Sequence, residues 1–198
     1  MDEEPCIALS HLTYEGNGNE MGIQIGAKPD AGFDNPIGML KDCHRRIEQF
    51  LHVLCLVADR APGRPLTEEE ADAVKSALHY FRVGGQRHTA DEEESLFPRM
   101  RAERTTASTL KEIDALEADH RVADDLHAAV EKLYESWLQG KALSSEVLEQ
   151  LRAKTERLKQ LYEGHIRIEE NLIFPSAAEG LDVDTIARIG EEFRARRA

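Results

Sequence analysis

The sequence has few cysteines, no long apolar run and a shortage of basic residues. Its three cysteines form no C-x-x-C pair, and this odd number predicts reduced thiols rather than a disulfide framework. No stretch approaches the roughly 20 uncharged apolar residues that a membrane span requires. Lys and Arg number 25 against 38 Asp and Glu, which leaves a net charge of -13. This charge repels phosphate backbones and anionic lipid, so we expect neither nucleic acid nor a membrane as partner.

Length and composition are typical of one ordinary globular domain. The 198 residues are 41% hydrophobic and 32% charged, a balance that supports a single core. The first residues, MDEEPCIALS, lack the basic start and apolar run of a secretory signal, so we expect a cytoplasmic protein. Residues 1–33 include five of the 13 glycines and show little periodicity. They predict an N-terminal extension with at most a strand or hairpin.

Helical patterns begin at about residue 34. Asp34 or Asn35 can cap a helix with Pro36 at its first position, and Thr67 with Glu70 forms the sequence of a capping box. Gly84 and Gly85 are expected to interrupt the second helix. In each of the two Phe-Pro pairs, the proline is expected to disrupt the backbone hydrogen bonds of its helix. The helices are expected over about 36–59, 67–98, 106–140 and 144–174.

Four long helices with short links predict an all-α fold. The economical arrangement is an antiparallel up-down four-helix bundle. We expect this bundle to span 34–178, after the extension at 1–33. Residues 179–198 should form a short fifth helix, capped by Asp184, and a tail.

One eleven-residue pattern occurs twice in the sequence. HTADEEESLFP at 88–98 and HIRIEENLIFP at 165–175 share a histidine, a double glutamate and a Phe-Pro pair at an offset of 77 residues. His44 and His120, in the first and third helices, are separated by 76 residues. Each half of the chain is therefore a helix with one such histidine followed by a helix with His-x-x-x-Glu.

This repeat predicts a metal centre. Residues four apart lie on the same face of a helix, so each His-x-x-x-Glu directs an imidazole and a carboxylate into one region of the bundle. An isolated buried carboxylate is very costly, and a pair of divalent cations bridged by carboxylates removes that cost. The predicted metal ligands are His44, His88, Glu92, His120, His165 and Glu169.

Other residues have more ordinary interpretations. A single His-x-x-x-Glu usually marks a solvated helix face, and only the repetition in register favours metal binding. Glu93 and Glu170 lie about 100 degrees away from their neighbours around the helix, which makes them second choices as ligands. Cys43 should point away from His44. Four histidines have no counterpart in the other half and are expected to be structural or surface residues: His11, His52, His79 and His127. Four apolar residues are expected to pack in the core: Leu96, Phe97, Ile173 and Phe174.

The sequence resembles the hemerythrin-like, or HHE cation-binding, family over about 36–178. The segments that match are DCHRRIEQFL, HTADEEESLFP, EADHRVADDLH and HIRIEENLIFP, in the order of that family. The resemblance implies a four-helix bundle around a non-haem centre of two iron ions, oxo- or hydroxo-bridged, with the six predicted residues as ligands. Manganese or zinc would suit the same donors.

One position departs from the family pattern. Oxygen-carrying members have a further histidine four residues after the one in the third helix, and here that position is Asp124. The six remaining ligands form a near-symmetric set, with two histidines per metal and Glu92 and Glu169 as bridges. Asp124 is then either a ligand or an acceptor that orients an imidazole. The departure argues against plain oxygen carriage.

Three functions follow as hypotheses. The first is a cytoplasmic di-iron protein that senses or handles oxygen, peroxide, nitric oxide or iron, with a small diatomic molecule or peroxide as its ligand. The second is a di-iron enzyme that reduces peroxide or nitric oxide, for which Tyr162 is the best-placed phenol, three residues before His165. The third is storage of oxygen or iron. No catalytic residue and no protein partner is assigned.

Overall fold

The computed structural model describes residues 31–103 and 106–198, and all regular secondary structure in these ranges is helical. The α-helices are α1 Pro36–Arg60, α2 Glu68–Tyr80, α3 Gln86–Asp91, α4 Phe97–Ala102, α5 Ala107–Leu138, α6 Ser145–Ile168, α7 Phe174–Gly180 and α8 Val183–Ala195. Three π-helical segments join some of them: Phe81–Gly85, Glu92–Leu96 and Glu169–Ile173. The predicted strand or hairpin falls on residues outside the described ranges.

These elements form four long helical stretches, at 36–60, 68–102, 107–138 and 145–180, followed by the shorter α8. Four of the expected N-caps are present: the side chains of Asn35, Thr67, Thr106 and Ser144 each accept a hydrogen bond from a backbone N–H in the first turn. Thr67 and Glu70 complete a capping box. Helix α1 packs against α2 and α6, and α5 packs against α6. None of the described helices combines the length and apolarity needed to cross a membrane.

The expected helix ends at Pro98 and Pro175 are wrong, whereas at Gly84–Gly85 the regular α-helix is interrupted by the π-helical segment Phe81–Gly85. The chain stays helical through the glycines and continues beyond the prolines, to Ala102 and to Gly180. A π-helical segment directly precedes each Phe-Pro pair, and a new α-helix begins at the Phe that follows its wider turn. Each proline then occupies the first turn of that helix, where its missing N–H removes no bond.

Helix α8 begins earlier than expected. Asp182, not Asp184, is its N-cap, and its side chain accepts a hydrogen bond from the Thr185 N–H at 2.7 Å. The backbone at Asp182 is extended, as an N-cap requires, whereas Asp184 lies in the first helical turn. Gly190 allows α8 to approach the carbonyl of Phe33 so closely that a Cβ there would lie 1.9 Å from its oxygen.

Two apolar clusters lie on either side of a polar layer. The large cluster contains Ile47, Phe50, Leu51, Leu54, Val57, Ala61, Val74, Ala77, Leu78, Phe81, Ala123, Val130, Tyr134, Trp137, Leu148, Leu151, Leu158, Tyr162 and Ile166. The small cluster contains Met39, Leu40, Leu96, Phe97, Met100, Ile113, Leu116, Ile173, Phe174, Ala177, Leu181, Ile189 and Phe193. On every long stretch the predicted ligands come between the residues of these clusters.

The C-terminal residues bind next to this layer. Asp91 is fully buried directly before Glu92, and its carboxylate accepts hydrogen bonds from Arg196 at 2.9 Å and from Arg197 at 2.6 Å. Charged groups are rarely buried without a partner, and here two guanidinium groups compensate one carboxylate. The end of α8 is thereby fixed to the helix that positions Glu92.

Candidate metal centre

The structure brings all six predicted ligands together in the polar layer, and each is at most 5% exposed. Their donor atoms form two groups within which all atoms lie less than 4.8 Å apart. One group contains His44 and His88, the other contains His120 and His165, and both contain Glu92 and Glu169. Two carboxylates are thus shared between two pairs of histidines.

Each shared carboxylate presents one oxygen to each group. Glu169 places Oε2 at 3.0 Å from Nε2 of His44 and Oε1 at 3.2 Å from Nε2 of His165. Glu92 places Oε1 at 3.5 Å from Nε2 of His88 and Oε2 at 3.4 Å from Nε2 of His120. Each carboxylate therefore has one oxygen near each pair of histidines.

The local backbone supports this arrangement. Glu92 and Glu169 are the first residues of two π-helical segments, one in each half of the chain. Such π-helical turns are rare and occur frequently at functional sites. The histidine four residues earlier lies on the same helix face, as the sequence predicts.

Two further glutamates orient the imidazoles. Oε1 of Glu170 lies 2.9 Å from Nδ1 of His44, and Oε1 of Glu93 lies 2.8 Å from Nδ1 of His120. Because each carboxylate accepts the Nδ1 proton, the Nε2 lone pair of each ring is directed into the layer, and the ring becomes more basic. From their helical positions these glutamates are expected only as second choices for ligation. The sequence signal for this orienting role is the second glutamate that follows the predicted ligand in both repeats.

Buried donor atoms without hydrogen-bond partners fit a cation. Among the described residues these include Nε2 of His44 and both carboxylate oxygens of Glu92 and of Glu169. Since Nδ1 of His44 has Glu170 as its acceptor, Nε2 has a lone pair that faces the lone pairs of Glu169 at 3.0 Å. Such contacts are unfavourable unless positive charge lies between them. A divalent cation in each group would supply that charge, and nitrogen with oxygen donors suits iron, manganese or zinc.

The pKa values of Glu92 and Glu169 also indicate that the site requires positive charge. Burial raises the pKa of Glu92 well above its usual range, and the negative charge of Glu169 raises it further. Burial also acts to raise the pKa of Glu169, but the positive charge of the nearby His165 holds this pKa well below its usual range. Two carboxylates in one buried site do not both remain ionised without compensating positive charge.

Asp124 does not join the site. Among the described residues it belongs to neither group of candidate ligands, and its side chain is exposed. Cys43 is buried and likewise lies outside both groups. His52 and His79 are exposed, as expected, and His11 lies outside the described residues.

A cavity of about 420 Å³ lies beside the second group of ligands, and Asp124 lines it together with Glu93. Two further lining residues, Tyr162 and His127, are joined by a hydrogen bond of 3.0 Å between Oη and Nε2. Burial lowers the pKa of His127 to about 4, so its ring is neutral at neutral pH. The ring of Tyr162 also contacts that of His165, with 6.3 Å between the ring centroids. No repeated pattern predicts the His127–Tyr162 pair, since His127 has no counterpart in the other half.

The Phe-Pro pairs close the layer on the side of the small cluster. The ring of Phe174 stacks on His44 and that of Phe97 on His120, with centroids 5.3 Å and 6.4 Å apart. Both phenylalanines are almost fully buried, as are Leu96 and Ile173. Their role as core packing was expected from the sequence.

Comparisons with known proteins agree with this geometry. The family model described as hemerythrin HHE cation binding domain matches residues 35–181. A protein of Haemophilus influenzae, described only as an uncharacterized protein, is 30% identical over 172 residues, which are 84% of this chain and 92% of that protein. The chain belongs to the family of hemerythrin HHE cation-binding domains.

Proposed function

We propose that this chain is an antiparallel up-down four-helix-bundle protein of the cytoplasm that binds two iron ions and uses them to sense or handle oxygen, peroxide, nitric oxide or iron. The small cluster supports the bundle topology. It combines residues near the starts of the first and third stretches with residues near the ends of the second and fourth. Helices that alternate in direction produce this combination.

The single observation that supports the metal centre most strongly is the sharing of Glu92 and Glu169 between two groups of buried donors. His44 and His88 would bind one ion, and His120 and His165 the other. Each ion then receives two imidazole nitrogens and two carboxylate oxygens. An ion that favours more than four ligands would have room for water or a small ligand beside these residues.

The donor set favours redox-active iron over the alternatives. Mixed imidazole and carboxylate donors with open positions are typical of iron, although they would also accept manganese or zinc. When bound, a pair of iron ions supplies one-electron steps between the ferrous and ferric states. The protein side chains orient the imidazoles through Glu93 and Glu170 and exclude bulk water through the flanking apolar clusters.

Metal content after purification tests the centre itself. We expect two ions per chain, and for iron a near-ultraviolet absorption of the air-oxidised protein. His88→Ala combined with Glu92→Ala should abolish this stoichiometry. A matched control combines Glu48→Ala with His52→Ala, an exposed pair that is also four residues apart, and should retain both ions. Full metal content in the first double variant would contradict the proposed centre.

Stopped-flow mixing of the reduced protein with oxygen and with peroxide tests the function. Slow one-way oxidation, accompanied by a change in far-ultraviolet or near-ultraviolet circular dichroism, is the result expected of a sensor. A stable oxygen adduct would indicate carriage or storage instead. Bound iron that exchanges without reacting would indicate iron storage.

A di-iron enzyme that reduces peroxide or nitric oxide is the second candidate, and the cavity beside the centre favours it. The Tyr162 hydroxyl donates to Nε2 of His127 when His127 has its proton on Nδ1. This pair can move a proton between the cavity and the side of the centre near His165. Tyr162→Phe should slow repeated turnover of peroxide at least tenfold while the protein retains both ions. Unchanged turnover would remove Tyr162 from the reaction.

A further inference from the structure

The four histidines of the centre differ in the group that faces Nδ1, the ring nitrogen directed away from the two shared carboxylates. Nδ1 of His44 and of His120 each has a glutamate oxygen within 2.9 Å. Nδ1 of His165 faces Oδ2 of Asp119 at 3.6 Å, an ion-pair distance longer than a hydrogen bond. Among the described residues, Nδ1 of His88 has no hydrogen-bond partner, although the side chain is only 3% exposed.

The repeat in the sequence explains this difference. His44 corresponds to His120 at an offset of 76 residues, so Asp119 corresponds to Cys43. Asp119 faces His165, and the residue that should face His88 in the same way is Cys43. His88 therefore has a thiol at the position where His165 has a carboxylate. A thiol is a weak hydrogen-bond acceptor, whereas a carboxylate accepts strongly and raises the basicity of an imidazole. Otherwise the two halves agree, since Glu93 and Glu170 occupy matching positions.

We infer that the two metal positions are unequal, and that the position formed by His120 and His165 binds its cation more tightly and fills first. Both of its imidazoles face carboxylates, Glu93 and Asp119, whereas the other position has only Glu170 behind its pair of histidines. Loss of one such outer carboxylate typically lowers metal affinity about 10- to 100-fold. This inference rests on the proposed function, because it requires that two cations bind at all.

Asp119 is accordingly a positioning residue for metal binding. It belongs to neither group of candidate ligands. Its carboxylate is partly exposed, with 35% of the side chain accessible, so it can be replaced without opening the core. The shared carboxylates contribute equally to both positions and cannot by themselves distinguish them.

Titration of the metal-free protein with Co²⁺ against a competing chelator tests the inequality. We expect two binding steps whose affinities differ about 10- to 100-fold. At one equivalent of Co²⁺, the paramagnetically shifted ring N–H signals in the proton NMR spectrum should come from His120 and His165, and those of His44 should appear with the second equivalent. Assignment uses variants loaded with saturating Co²⁺, so that both positions are filled: Glu93→Gln then shifts the signal of His120, and Glu170→Gln shifts that of His44.

Two variants of Asp119 decide whether this residue causes the difference. Asp119→Asn should weaken the tighter step about tenfold and leave the weaker step unchanged, and Asp119→Cys, which copies the other half of the repeat, should bring the two affinities close together. Asp125→Asn, an exposed aspartate on the same helix, should change neither step. A ring N–H signal of His44 stronger than that of His120 at one equivalent would overturn the inference, as would equal affinities in the unaltered protein or an equal loss at both steps in Asp119→Asn. Each of these results leaves the proposed centre intact, whereas failure of the unaltered protein to bind any Co²⁺ would overturn the proposed function as well.

Discussion

The large apolar cluster and the histidine–glutamate layer beside it lie on the same helices but are stabilised differently. Within the cluster the polar atoms of the large aromatic side chains have partners: Nε1 of Trp137 donates to the carbonyl of Arg64 at 2.7 Å, and Oη of Tyr134 donates to the carbonyl of Leu54 at 2.6 Å. In the layer, both carboxylate oxygens of Glu92 and Glu169 are buried without such partners. The cluster therefore needs no ligand, whereas the layer is complete only with cations.

The same comparison shows how one scaffold combines stability with binding. Burial of apolar side chains on both sides of the layer fixes the helices, so the donor atoms remain close together without contributing to stability themselves. The layer costs free energy in the metal-free protein and recovers it when cations bind. Four changes, from the largest expected effect to the smallest, test this division.

Removal of both shared charges should have the largest effect. We expect Glu92→Gln combined with Glu169→Gln to abolish binding of both ions and to stabilise the metal-free protein, because the variant has neither the cost of protonating Glu92 nor that of burying the charge of Glu169. Metal analysis and thermal unfolding with and without a chelator measure the two effects. The chelator should lower the Tm of the unaltered protein and leave that of the double variant unchanged. Glu48→Gln with Glu149→Gln, two exposed sites, serves as the control, and metal retention in the first double variant would refute the division.

Truncation within the large cluster should act independently of metal. Trp137 is fully buried, so Trp137→Ala is expected to lower the free energy of unfolding by about 3–5 kcal/mol. Denaturant titration should give the same loss with and without bound metal, because the ring is remote from the layer in the apolar cluster. Trp137→Phe should lose less, since it leaves a smaller cavity. A loss confined to the metal-bound protein would show that cluster and layer are coupled.

Replacement of the orienting glutamates should weaken metal binding without changing the apolar core. Glu93→Gln and Glu170→Gln are each expected to lower affinity for one cation about 10- to 100-fold, because a neutral amide polarises the imidazole less than a carboxylate does. Chelator competition measures this change, and denaturant titration of the metal-free variants should show little loss. Glu94→Gln, at the exposed position next to Glu93, is the matched control. Equal affinity in all three variants would deny the glutamates this role.

The smallest expected effect concerns His127, which lies beside the layer but outside it. Burial lowers its pKa to about 4, against about 6.5 in an unfolded chain, so the unfolded state takes up a proton first as the pH falls. The contribution of neutral His127 is therefore complete above about pH 6.5 and is lost as the pH falls toward 4. Between pH 7 and 5.5 this loss amounts to about 1 kcal/mol. Unfolding of the metal-free protein should show it, His127→Gln should reduce it, and His79→Gln, at an exposed position, should not.

The features that were predictable from sequence depend on local rules or on the duplication. Caps at Asn35, Thr67 and Ser144 follow from side chains that bond within one turn. The convergence of His88 with Glu92, and its repetition at His165, follows from helical periodicity applied twice. The same reasoning wrongly predicted helix ends at Pro98 and Pro175. No sequence pattern predicts the π-helical segments that precede these prolines and allow the chain to stay helical beyond them.

The sequence by itself determined which helix faces are apolar, which residues cap the four long helical stretches and which six side chains point inward, because each depends on spacing along one helix. Only the tertiary structure decided which group faces Nδ1 of each imidazole: Glu170 reaches Nδ1 of His44 across 126 residues of chain, and Nδ1 of His88 has no hydrogen-bond partner among the described residues. Periodicity fixes the direction of a side chain relative to its own helix axis. It does not fix the rotation and axial offset of one helix against another, which the packing of the two apolar clusters sets.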